Sequence, residues 1–364
     1  MKKDPTKSPL WAVRLLPWSP RQTNFITNTS GPDERPKFPN VYHFVFASYH
    51  AINDGYSNAI MNKVFLEMIG SILNDNPVDD SLPLGTLICP EKEFEEQEKM
   101  EKAFLDNPVL LQERKEFFGS IVSPTLLNTD FIPPLGKPKT VVLIHVFNEE
   151  VTKAFKERSK RENISFHSGL CTLIDAAIVK TLVEAGQKLT SYRISSSNAV
   201  DMRKIFPKSE VQMGLGQRPL FLVRDVAESV VKENFWSEAK KHFLKFRSEY
   251  QRKASLEREV VSRLTGTDVF EPHKDVLPCE NKAYYLISNT GESFPIQGNY
   301  GPYLHLEYMD GTTDMTATNY LWMVLSFIFR GKLYCSFQYN TNMIDADTAE
   351  KVKQNMIEIM PEIV

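Results

Sequence analysis

No apolar run in this chain of 364 residues approaches the length needed to cross a bilayer, so no membrane span is expected. The longest strong run, Leu321 to Phe329, suits a strand better. Glycine-rich phosphate loops are missing: Gly214-Leu215-Gly216 lacks both the third glycine and a following helix signal. No G-x-S-x-G elbow occurs, which removes the commonest serine-hydrolase design. The four cysteines, Cys89, Cys171, Cys279 and Cys335, are widely spaced and form no C-x-x-C or Cys/His pattern. Free thiols in a reducing compartment, and no metal site, are therefore expected. There is no basic block and the formal net charge is -3, which argues against a nucleic-acid partner. Pro9, Arg14 and Pro17 interrupt the run after Lys2 and Lys3, so no secretory signal is expected and a cytoplasmic location is.

What is present is an average globular composition, with 42% hydrophobic and 24% charged residues. The length suggests two lobes, and Ser123 to Pro138, with four prolines and Gly136, is the best crossover between them. This gives lobes of 1–136 and 137–364. Strands are expected at Leu10–Leu16, Val41–Tyr49, Thr140–Phe147, Ser191–Val200, Ala283–Ser288, Tyr303–Tyr308, Leu321–Phe329 and Leu333–Tyr339. Arg330-Gly331 reads as a hairpin turn. Helical patterns occupy Asn148–Arg161, the nearly all-apolar Ser168–Val183, Phe235–Tyr250 and the segment after Asp345; Glu91–Lys102 reads as a charged, solvated helix face. Mixed elements in both halves predict an α/β or α+β architecture.

The string His50-Ala51-Ile52-Asn53-Asp54-Gly55 reads H-x-x-x-D-G between an apolar strand and a helix whose apolar positions include Ile60, Val64, Met68 and Ile72. A histidine at a strand end suits proton transfer, because the strand fixes its backbone. Gly55 suits a turn that needs backbone angles closed to other residues, and Ser57 suits the helix N-cap. Asp54 reads as a buried anchor paired with an arginine elsewhere. The competing reading is a structural histidine beside an ordinary Asn-Asp-Gly turn.

Together with the strand Leu10–Leu16, the segment Ala199-Val200-Asp201-Met202-Arg203, and Ser288-Asn289-Thr290-Gly291 followed by Tyr300-Gly301-Pro302, the motif resembles the CoA-dependent acyltransferase superfamily. That family includes chloramphenicol acetyltransferase, the plant BAHD acyltransferases, alcohol acetyltransferases and peptide-synthetase condensation domains. The resemblance implies two chloramphenicol-acetyltransferase-like lobes, each a mixed sheet flanked by helices, with a tunnel between them. It implies acyl-CoA as co-substrate, no permanently bound cofactor, and a small alcohol or amine acceptor. His50 would be the general base, Arg203 the partner of Asp54, and Ser288 and Asn289 the candidates for oxyanion donors or a polar strand end. Tyr49 stands where many members have another histidine. Only nine residues precede Leu10, against on the order of a hundred in the family, so an incomplete first lobe is expected, with a sheet edge open to self-association. The alternative function is a catalytically inactive member that serves as a binding or interaction module.

Overall fold

The computed structural model describes residues 10–17, 40–79, 85–119, 134–187, 189–207, 211–231, 233–266, 285–292, 296, 298–316, 318 and 320–364. Residues 123–133 of the expected crossover, and Cys279, lie outside them. In chain order the elements are β1 (Trp11–Pro17), β2 (Tyr42–Ser48), α1 (Gly55–Leu73), β3 (Thr86–Leu87), α2 (Glu91–Asp106), α3 (Pro108–Gly119), β4 (Thr140–Phe147), α4 (Glu149–Arg161) and α5 (Phe166–Glu184). There follow β5 (Ser191–Asp201), β6 (Gln212–Met213), β7 (Gln217–Ala227), α6 (Phe235–Gln251), α7 (Glu257–Thr265), β8 (Tyr285–Gly291), β9 (Trp322–Phe329), β10 (Lys332–Asn340) and α8 (Ala346–Glu362).

These elements form two compact units, neither continuous in sequence. The first comprises Met1–Cys89, Asp201–Gln217 and Glu292–Asp310; the second comprises Pro90–Val200, Arg218–Gly291 and Gly311–Val364. Helices α2 and α3, although they precede residue 136, belong to the second unit.

In the first unit β1 and β2 pair antiparallel from Trp11 opposite Ser48 to Pro17 opposite Tyr42. Phe44 of β2 stacks on Phe65 of α1, with ring centroids 4.8 Å apart. Leu66 of α1 joins Ile296 and Tyr300 in a small core, with Leu304, Leu306 and Met309 packed against it. A glycine is required at Gly70, because a Cβ there would lie 2.6 Å from the Tyr300 carbonyl oxygen. The strand expected at Tyr303–Tyr308 does not form: only an isolated bridge joins Asn299 and His305. Its apolar alternation serves packing against α1, while Tyr300 and Leu306 N–H groups bond locally to Leu304 O (3.0 Å) and Gly298 O (2.7 Å). The short β3 pairs parallel with β6.

The second unit is built on a six-stranded sheet in the order β4-β10-β9-β8-β5-β7. The pairs β4–β10 and β10–β9 are antiparallel, while β9–β8 and β8–β5 are parallel. Arg330 and Gly331 close the β9–β10 hairpin with φ of 52° and 78°, the two positive values that a two-residue turn matched to strand twist demands. Helix α5 lies in the main core with Leu170, Leu173, Ile174, Ile178 and Leu182 among its most buried side chains, against α6, α8 and the sheet. By length and composition α5 could also cross a membrane, with mean hydropathy 1.4, although 78% of that window is buried within the protein.

Two polar features qualify the sequence reading. Helix α2 is not wholly solvated: Glu93 is buried and pairs with Arg218 at 3.0 Å, and Gln97 donates to Glu259 at 2.7 Å. One side of α5 carries His167, Cys171 and Asp175 at a spacing of four, which places them on one face. There His167 meets Asn198 Oδ1 at 3.0 Å, Asp175 accepts from Tyr285 at 2.9 Å, and Asp175 pairs with Arg224 of β7. His242 of α6 is buried beside them, its ring 6.3 Å from that of His167.

Candidate active site

The β1–β2 ladder continues one residue past Ser48, since Tyr49 N–H donates to Leu10 O at 2.9 Å. The chain then reverses in a β-turn closed by Ile52 N–H to Tyr49 O at 3.2 Å, so His50 and Ala51 occupy its two central positions. Both are exposed, as is Ile52 after them, whereas the next two residues, Asn53 and Asp54, are buried. The motif thus presents one imidazole to solvent on a turn that leads into the buried Asn53 and Asp54. Ser48 Oγ donates to Asn53 Oδ1 at 3.0 Å, and Asn53 Nδ2 donates to Asn58 Oδ1 at 2.7 Å, which ties the base of the turn to the first turn of α1.

Asp54, and not Ser57, is the N-cap of α1: its Oδ1 accepts from Ser57 N–H at 3.0 Å. The sequence reading assigns Gly55 to a conformation closed to other residues; in the structure it is the first helical residue, lies outside the positive-φ set, and a Cβ there would meet nothing within 4 Å.

Arg203 grips Asp54 with a two-pronged fork, Nη1 to Oδ2 at 2.8 Å and Nη2 to Oδ1 at 3.2 Å. Its other hydrogens are also used: Nε donates to Gln212 O (2.8 Å), Nη1 to Asp201 (3.0 Å), and Nη2 reaches Ser57 Oγ (3.0 Å) and Gly214 O (2.9 Å). All five donors of the guanidinium therefore have acceptors. Tyr56 covers one face of it, with the ring centroid 4.9 Å from Cζ. Burial alone would raise the Asp54 pKa, but the bonds from Arg203, Ser57 N–H and Gly216 N–H, with the arginine charge, hold it below the usual value. Both oxygens of Asp54 are taken, Oδ2 also by Gly216 N–H at 2.8 Å, so the carboxylate is committed to the anchor.

The structure therefore brings Asp54 and Arg203 together and sets His50 on the adjoining turn. Ser288 and Asn289 lie in β8 of the second unit, both half-buried; Asn289 Oδ1 accepts from Gly291 N–H at 3.0 Å, where the β8–β9 register shifts. Among the described residues no group of three or more His, Cys, Asp or Glu side chains gathers as metal ligands. Cys89 is an exposed free thiol, and Cys171 and Cys335 are buried free thiols.

Sequence reasoning missed two parts of this arrangement. The first is Ser48, Asn53 and Asn58, polar residues at spacings that follow no catalytic pattern. The second is the Gly214–Gly216 segment, which resembled a failed phosphate loop and instead wraps the arginine. A Cβ on Gly216 would fall 2.5 Å from Arg203 Nη1 and 2.6 Å from Ile88 Cδ1.

The fold, with its six-stranded mixed sheet under helices, is the chloramphenicol-acetyltransferase-like one found in condensation domains and an O-acetyltransferase. No protein-family model and no curated protein matches the sequence. Solved structures do match. The trichothecene 15-O-acetyltransferase from Fusarium sporotrichioides aligns with a TM-score of 0.62 and 14% identity, over 88% of this chain and 66% of that one. The condensation domain of the monacolin K polyketide synthase gives 0.58 and 14%, over 88% and 69%. The epimerization domain from the third module of tyrocidine synthetase B gives 0.56 and 14%, over 89% and 69%. The chain thus spans about two thirds of the length of these structures, and at such identity the likeness is one of fold.

Proposed function

We propose that the chain is an acyltransferase that moves an acyl group from a CoA thioester to a hydroxyl or amine, with His50 as general base. One observation carries the proposal: His50 is the exposed corner of a turn whose base is tied by hydrogen bonds and followed by the buried Asn53 and Asp54, an arrangement that holds a proton acceptor in place while leaving it open to substrate. The fold shared with an O-acetyltransferase supports it. In the first step a neutral ring nitrogen of His50 takes the acceptor's proton as its oxygen or nitrogen attacks the thioester carbonyl. The tetrahedral intermediate then collapses, the C–S bond breaks, and the imidazolium returns the proton to the departing thiolate. No acyl-enzyme forms, and His50 ends neutral. Asp54 and Arg203 hold the framework and take no proton.

The test is thiol release from acetyl-CoA with a panel of alcohols and amines, comparing wild type with His50→Ala. The expected result is turnover in wild type and a fall of at least about a hundredfold in the variant at unchanged melting temperature. Turnover retained in His50→Ala would sink the base assignment.

A second reading, a binding module without catalysis, draws on the exposed apolar side chains of the β1–β2 sheet, Trp11, Leu15, Leu16, Tyr42 and Val45. It expects thiol release no faster than background with every acceptor.

A further inference from the structure

We propose that Ser48, Asn53 and Asn58 are positioning residues for His50, a relay of three side chains that fixes the catalytic turn without touching the imidazole. The proposal rests on the reading of His50 as base.

The turn from Tyr49 to Ile52 has one backbone hydrogen bond of its own, at 3.2 Å. A single exposed bond of that length leaves a β-turn free to open, because each such bond is worth little net in water. The chain meets this at the turn's base. Ser48 is the last residue of β2 and Asn53 the first buried residue beyond the turn; the bond from Ser48 Oγ to Asn53 Oδ1 closes a ring around the four turn residues. Asn53 then uses the other end of its amide, Nδ2, on Asn58 Oδ1 at 2.7 Å. Asn58 lies in the first turn of α1, where its backbone N–H bonds to Asp54 O at 2.9 Å. The same helix end is held by the Asp54–Arg203 fork. Rigidity therefore passes from the buried ion pair through α1 and Asn58 to Asn53 and Ser48, and the imidazole is carried on a loop bonded at both feet.

The direction of the bonds makes the device testable. Asn58 serves as acceptor, so Asn58→Asp keeps its part, since a carboxylate accepts from Asn53 Nδ2 equally well. Asn58→Leu, with the same four side-chain heavy atoms branched at Cγ, cannot accept. Ser48→Ala removes the donor that closes the ring, together with its longer contact to Asn58 Oδ1 at 3.4 Å. If the relay positions His50, Ser48→Ala and Asn58→Leu speed amide hydrogen exchange at Ile52 roughly five- to tenfold, the factor expected for one lost hydrogen bond. They also lower kcat about tenfold, with KM for acyl-CoA unchanged. Asn58→Asp should stay within about twofold of wild type in both.

Unchanged Ile52 exchange in Ser48→Ala and Asn58→Leu would overturn the proposal, as would wild-type kcat in both. Equal damage from Asn58→Asp and Asn58→Leu would also overturn it, since packing volume and not the accepted bond would then be at work. The exchange measurement needs no substrate. If wild type transfers no acyl group, acyl transfer falls as the function, while the exchange data still decide whether the relay holds the turn.

Discussion

Arg203 is the residue on which the first unit turns, and its role depends on shape as well as charge. A lysine would keep the positive charge beside Asp54 but offers three hydrogens on one nitrogen, against five spread over a plane. Gln212 O, Gly214 O or Asp201 would lose its partner, in a place where Arg203 is only 10% exposed. Arg203→Lys is therefore expected to destabilise the first unit by roughly 2–3 kcal/mol in chemical denaturation, and Asp54→Ala, which strands the guanidinium, by roughly 3–5 kcal/mol. The Asp54 pKa is lower folded than unfolded, so the anchor's contribution is present above the unfolded value, near 4, and is lost as pH falls below it. At this scale the sequence was partly legible. His50, Asp54 and Arg203 are visible as residue types in a familiar order, whereas the Ser48–Asn53–Asn58 relay and the wrap by Gly216 depend on geometry that leaves no spacing signature.

Among the elements, α5 is expected to set the acid limit of the second unit. Burial holds His167 down to about 4, although its bond to Asn198 works the other way; burial, with Arg224 nearby, puts His242 well below its usual value. Both rings bind protons near 6.5 once unfolded, so protonation favours the unfolded chain. Stability should fall as pH drops from about 6.5 towards 4, by roughly 3 kcal/mol for His167 alone. His242 has neither ring nitrogen bonded, so His242→Phe should flatten the profile of unfolding free energy against pH at little cost near pH 7. A steeper profile in that variant would contradict the assignment. The helix itself was legible, because its apolar periodicity is strong; the polar stripe at 167, 171 and 175 was hidden by the apolar residues around it. Strand β7 went unread for a different reason. Pro219 sits inside it and argues against a central strand, yet β7 is the last strand in the sheet order, where proline is tolerated.

For the whole molecule, the division into units is the feature least accessible to inspection of the sequence, since the first unit is assembled from three separated stretches. A fragment of residues 1–136 holds the motif but lacks Arg203 and the 292–310 segment that covers Leu66. Expressed alone it should show no cooperative thermal transition by circular dichroism; a sharp transition would mean that the helix and its two strands are self-sufficient. The same discontinuity sets a timetable for synthesis. Asp54 leaves the ribosome 149 residues ahead of the arginine that neutralises its surroundings. At about 5–20 residues per second, that is a wait of roughly 7 to 30 seconds. Throughout it the buried-to-be carboxylate stands unpaired, and Leu66 waits longer still for Ile296 and Tyr300. Nascent chains stalled before residue 203 are the species a chaperone would hold longest, and the pace of translation through that interval becomes a determinant of yield.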